Sequence, residues 1–144
     1  MIQRIQSIWL LLAAIAILCL LFVPVLISKD GESTYTLNGY GINNKSTNIL
    51  LLVSTILAGL ISLLNIFNFR NRRLQIRIAS LNILLILGLS FWFSSLAKQL
   101  PGGIKNSDIG IGLFLPLAAI IFTLLAIRGI KKDEKLIRSA DRLR

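Results

Sequence analysis

Four long apolar stretches, residues 8–27, 49–69, 76–96 and 109–130, constrain this chain more than any other feature, because no Asp, Glu, Lys or Arg interrupts their interiors. Arg77 and Arg128 fall only at the margins of the third and fourth. A helix rising about 1.5 Å per residue crosses a hydrocarbon core of roughly 30 Å in about twenty residues. Packing in water is a poor alternative. Of the 144 residues 55% are hydrophobic and 15% charged, and a soluble domain this short would still turn much of that surface to solvent. The pattern predicts one domain over residues 1–144, an all-α integral membrane four-helix bundle. Arg4 before the first stretch could suggest a cleaved leader. The stretch is too long for a leader's apolar core, however, and no small-residue cleavage site follows it, so it is expected to remain as an anchor.

The connections are short. Residues 28–48 are polar, and β-branched and aromatic residues flank Asn38-Gly39, a strong hairpin signal. A small β-hairpin here competes with an irregular loop, since an isolated strand pair is marginal in water. Residues 70–77 form a tight basic turn carrying Arg70, Arg72, Arg73 and Arg77 without an acid. Residues 97–108 contain the breaker Pro101-Gly102-Gly103, and Ser107 or Asp108 could cap the fourth helix. Pro116 either kinks that helix or opens it. Residues 131–144 read as a separate amphipathic helix, with Leu136, Ile137, Ala140 and Leu143 on one face and Glu134 placed to pair with Arg138.

Net charge is +10, and its position matters more than its size. With the N-terminus inside, twelve basic residues fall on inner segments, including Arg4 and the four turn arginines, against four on outer loops. That asymmetry predicts both termini in the cytoplasm. The cations border apolar runs and form no recognisable nucleic-acid motif, so anionic lipid headgroups are the expected partners and nucleic acid is not.

Chemistry is conspicuous by what is missing. The chain has no histidine, one cysteine (Cys19, within the first stretch) and six acids that all lie outside the apolar stretches, so no catalytic, cofactor or metal site is expected. A proton-coupled carrier would need a titratable group at depth. Serines within the stretches are expected to bond backbone carbonyls or permit close packing. Asn65 and Asn82 lie five residues from Arg70 and Arg77, and a direct hydrogen bond between them would join the second and third helices. Ala58 and Ser62 make a weak small-x-x-x-small contact signal, for the bundle or for a dimer. In the tail, Lys131, Lys132, Asp133, Glu134, Arg138, Asp141 and Arg142 mix signs, which fits docking to a protein as well as lying on lipid.

The opening residues 1–14, MIQRIQSIWLLLAA, Leu115-Pro116-Leu117-Ala118, and the closing run from Lys132 to Arg144 resemble the bacterial membrane family called domain of unknown function 4293. The resemblance implies a small four-span inner-membrane protein of the Bacteroidota without an assigned activity, and it transfers no functional residue. The leading expectation is a non-enzymatic accessory or scaffold subunit of a membrane assembly, docking a partner through its tail. The alternatives are a small oligomeric transporter or pore and, last, a lipid-modifying enzyme.

Overall fold

The computed structural model describes residues 3–31, 33–43, 46–100 and 107–141. Four helices, α1 (Gln3–Cys19), α2 (Ile49–Phe67), α3 (Arg72–Ala97) and α4 (Leu115–Asp141), form a ring in which each packs on two neighbours: α1 on α4 and α2, α3 on α2 and α4. One spacing governs all four. The buried seam positions are 6, 10, 13, 17 and 20 on α1 and the turn after it; 51, 55, 58, 62 and 65 on α2; 75, 79, 82, 86, 89, 93 and 96 on α3; and 119, 123, 126, 130 and 133 on α4, with Ala14, Ala16, Gly59, Ala97 and Pro116 buried beside them. Steps of four and three residues keep a narrow seam facing inward, as in antiparallel helical bundles. The opposite faces stay apolar and exposed, with Leu64, Leu81, Leu84, Phe91 and Leu117 all more than 60% accessible. Such a surface suits lipid and not water.

Three helices, α2, α3 and α4, are long and apolar enough to cross a membrane. The first is not the helix expected over residues 8–27. It occupies residues 3–19, and at 17 residues it is shorter than the other three. The cause lies at Val23-Pro24-Val25. A proline disfavours helical geometry at the residue before it, and the β-branched residues around it favour strands. The apolar run therefore leaves the helix, and Val25 N–H bonds the Leu37 carbonyl at 2.7 Å.

That exit opens a sheet. Strands β1 (Leu26–Asp30), β2 (Ser33–Asn38), β3 (Gly41–Ile42), β4 (Ser46–Thr47) and β5 (Ser107–Ile109) align in the order β4-β3-β2-β1-β5. Gly39-Tyr40 makes the two-residue turn between β2 and β3, with Asn38 opposite Gly41. Glycine at 39 answers to a close approach and not to a positive φ. A Cβ there would stand 2.9 Å from the Leu20 carbonyl, which the Gly39 N–H bonds at 2.7 Å to close the end of α1. Leu37, Ile42 and Val25 point inward and continue the core formed by Leu51, Phe93, Leu96 and Leu100. The sheet thus covers the end of the bundle where α1 and α3 finish and α2 and α4 begin.

Two further boundaries differ from the sequence reading. Ser107 and Asp108 cap no helix, because β5 pairs them with Ser28 and Ile27. A short 3₁₀ turn, Ile111–Phe114, follows, and Pro116 is the second residue of α4. Proline is tolerated there because the first-turn N–H groups have no helical acceptor. The tail is not a separate helix either: α4 runs unbroken to Asp141. The breaker Pro101-Gly102-Gly103 lies outside the described residues.

Candidate functional site at the basic end of the bundle

At the end away from the sheet, every seam finishes in a polar residue: Gln6, Asn65, Gln75 and Asp133, each at most 7% exposed. They pair across helix neighbours. Gln6 Nε2 donates to Asp133 Oδ2, tying α1 to α4. Gly129, one turn before Asp133, makes room for this, since a Cβ there would meet Gln6 Cγ at 3.0 Å. Asn65 Nδ2 donates to the Gln75 carbonyl and Gln75 Nε2 to the Asn65 carbonyl, both at 3.1 Å. Each side-chain amide so reaches a backbone carbonyl on the other helix where α2 ends and α3 begins, and the Asn65 carbonyl also accepts the Asn68 N–H.

The expected direct bond between Asn65 and Asn82 is not formed. Asn82 Nδ2 instead donates to Ser62 Oγ at 2.6 Å, one seam position higher, while Asn65 is held by Gln75. The two asparagines still serve the contact between α2 and α3, in separate layers. Their Oδ1 atoms are buried without a hydrogen-bond partner. Ala58 and Ser62 are buried inside the bundle, and Gly59 lies against Leu18 of α1, so this small-residue stripe serves internal packing.

Outside this polar layer lies a basic cleft of about 590 Å³, lined by Asn71, Arg72, Arg73, Leu74, Arg77, Glu134 and Ile137. Arg73 Nε stands 3.8 Å from Glu134 Oε1, across α3 and α4; the Glu134–Arg138 pair expected within the tail involves a side chain outside the described residues. Lys131 and Lys132 are exposed nearby in sequence on α4. Asp133 is the member of the tail set that the structure moves most. Its carboxyl faces α1 and is unavailable to a surface partner. The side chains of Arg4, Arg70, Arg138 and Asp141, and all of Arg142, lie outside the described residues.

A second, apolar groove of about 340 Å³ runs between α2 and α3, with Leu64, Asn65, Asn68, Ile78, Leu81 and Asn82 among its walls. It begins within one turn of the basic cleft: Leu74 and Arg77 line the one, Ile78 and Leu81 the other. Hydroxyls elsewhere are engaged by their own helices. Ser54 and Thr55 bond the Leu51 carbonyl, Ser90 that of Ile86 and Thr123 that of Ala119, at 2.7–2.9 Å. Among the described residues no three His, Cys, Asp or Glu side chains gather as a metal site. Anion pairing and hydrogen bonding are what this end of the molecule offers.

The family model for the domain of unknown function DUF4293 matches residues 2–143. The chain belongs to this family. No curated relative matches it. The match spans the polar layer and the basic cleft together with the sheet, so a DUF4293 chain is this whole assembly and not only its two similar ends. Gln6, Gln75 and Gly129 were not singled out from the sequence, and Ser62 only as a small-residue contact. Their signal was the four-three spacing, which puts Gln6 and Asp133 on the inward seams of α1 and α4.

Proposed function

We propose that this DUF4293 protein is a non-enzymatic accessory or scaffold subunit of a bacterial inner-membrane assembly. All four helices cross the bilayer, with the basic end and both termini in the cytoplasm and the sheet outside. The separation of charge between the ends of the bundle carries this reading. Arg72, Arg73 and Arg77 line the cleft with Glu134 as the only acid among the described residues there, and positive-inside sorting places such an end in the cytoplasm. Lys131 and Lys132, exposed on the same helix as Glu134, extend that surface toward a protein or headgroup partner.

Two measurements test this. In intact spheroplasts a membrane-impermeant thiol reagent should label Ser33→Cys at once and Ser139→Cys only after lysis, in a Cys19→Ala background. The full-length chain, purified in mild detergent, should bring a membrane partner that Arg73→Gln/Arg77→Gln loses. A chain that purifies alone overturns the scaffold role, and reversed labelling overturns the topology.

A further inference from the structure

We infer that the groove between α2 and α3 and the adjoining basic cleft form one binding site for an anionic lipid. Its phosphate meets the arginines, and its head–chain junction carries a hydroxyl or amide N–H. The inference rests on the basic end lying at a membrane surface and not on the scaffold role.

Three observations converge. The groove is apolar, and Leu64 and Leu81 on its rim are 65% and 64% exposed, which makes it a seat for an acyl chain. Arg77 lies one helical turn from Leu81 toward the end of the bundle, where a phosphate would sit, and guanidinium groups bind phosphate through paired N–H donors. The third observation selects the lipid. Asn65 and Asn82, at 1% and 2% exposure, are among the groove's lining residues, and their Oδ1 atoms lie buried beneath it without a partner. The Asn65 amide cannot turn over, because its Nδ2 faces the Gln75 carbonyl, so its free atom is an acceptor. Asn82 meets a hydroxyl and satisfies it in either orientation.

Asn82 is five residues past Arg77, about 7.5 Å deeper along the helix. Asn65, bonded to the Gln75 carbonyl, lies nearer the arginines than Asn82, so the two acceptors span the junction between headgroup and chains. Ester-linked glycerolipids present only acceptors there and leave Asn65 Oδ1 unsatisfied. An amide-linked or hydroxylated chain donates to it. Both oxygens are closed over in the free protein, so binding turns the Asn65 side of the groove floor outward by a side-chain movement.

A matched pair of lipids tests this. Ceramide 1-phosphate and phosphatidic acid of equal chain length share a phosphate monoester and differ at the junction. With the full-length protein in detergent, native mass spectrometry should show half-saturation by ceramide 1-phosphate at roughly three- to tenfold lower concentration, the effect of one added hydrogen bond. Arg77→Gln should weaken both lipids alike, and Asn65→Leu should erase the difference between them. Leu81→Trp on the exposed rim should block both without disturbing the fold, which keeps the test decisive where Asn65→Leu does not fold. Equal binding of the two lipids by the wild type, or a preference that survives Asn65→Leu, overturns the inference. So does undiminished binding by Leu81→Trp. A chain that purifies without partners yet sorts the lipids supports the site and removes only the scaffold role.

Discussion

Gln6 and Asp133, 127 positions apart, share a buried hydrogen bond that fastens the first helix to the last. Removing the amide leaves a carboxyl group buried at 7% exposure without its donor, which costs more than the bond itself contributes. Gln6→Leu should therefore lower stability by about 1.5–3 kcal/mol. Asp133→Asn, which keeps an acceptor for Gln6, should cost less. Thermal unfolding in one detergent, with Gln6→Leu no worse than Asp133→Asn, would show that the pair is not the fastening.

Gly129 should be coupled to Gln6. Alanine gains about 1 kcal/mol over glycine in a helix interior. At 129 its Cβ would press on Gln6 Cγ at 3.0 Å. Gly129→Ala should then forfeit most of that gain in the wild type and recover it beside Gln6→Ala. A double-mutant cycle reads the difference directly. Equal effects in both backgrounds would deny the contact.

Much of this architecture was legible in the sequence, for reasons that differ between segments. The hairpin of α2 and α3 was readable because two apolar runs meet at a basic turn, and nothing tertiary overrides that pattern. The turn between β2 and β3 was signalled by Asn38-Gly39, but the wider sheet was hidden because β1 begins inside an apolar run, where Leu26 and Ile27 look like the end of a helix. Only Pro24 marked the break. The polar layer was hidden for another reason. Asn65 stood out as polar within an apolar run, but the identity of its partner depends on rotation about the helix axis, and the seam places Gln75 nearer than Asn82. Asp133 looked like one charge among many in a basic tail, although Ala119, Thr123, Ala126 and Ile130 already pointed along its seam.

The separation of the two asparagines makes the layers independent. Asn65 answers to Gln75, and Asn82 to Ser62. Each leucine substitution should cost about 0.5–2 kcal/mol. Asn65→Leu and Asn82→Leu together should be additive within about 0.5 kcal/mol. Asn82→Leu should instead be non-additive with Ser62→Ala. Unfolding midpoints for the three single and two double variants decide this, and strong coupling between the asparagines would favour the direct bond that the structure does not contain.

The ion pair across the cleft should matter little for the fold. Arg73 is 79% exposed on its side chain and Glu134 27%, at 3.8 Å. Exposed pairs contribute about 0–1 kcal/mol and weaken with salt. Glu134→Gln should leave the unfolding midpoint nearly unchanged while freeing Arg73 for anions, so retention of anionic lipid should rise at low ionic strength. A large loss of stability would mean that Glu134 fixes the packing of α3 on α4.

Truncation separates the fold from docking. Because α4 continues past Ile130, deleting residues 131–144 removes Asp133 along with the exposed tail cations, so lost partner binding could reflect a loosened bundle. Ending the chain after Lys135 keeps Asp133 and its bond with Gln6, and removes the last turns of the helix with Leu136 and Ile137, which are about half exposed. The shorter deletion should keep a stability close to that of the intact chain. The longer one should lose roughly what Gln6→Leu loses, about 1.5–3 kcal/mol. Partner recovery in mild detergent then has a clear sign: loss in the chain ending at Lys135 assigns docking to the last turns. Loss only in the longer deletion, matched by Gln6→Leu, assigns it to the integrity of the polar layer.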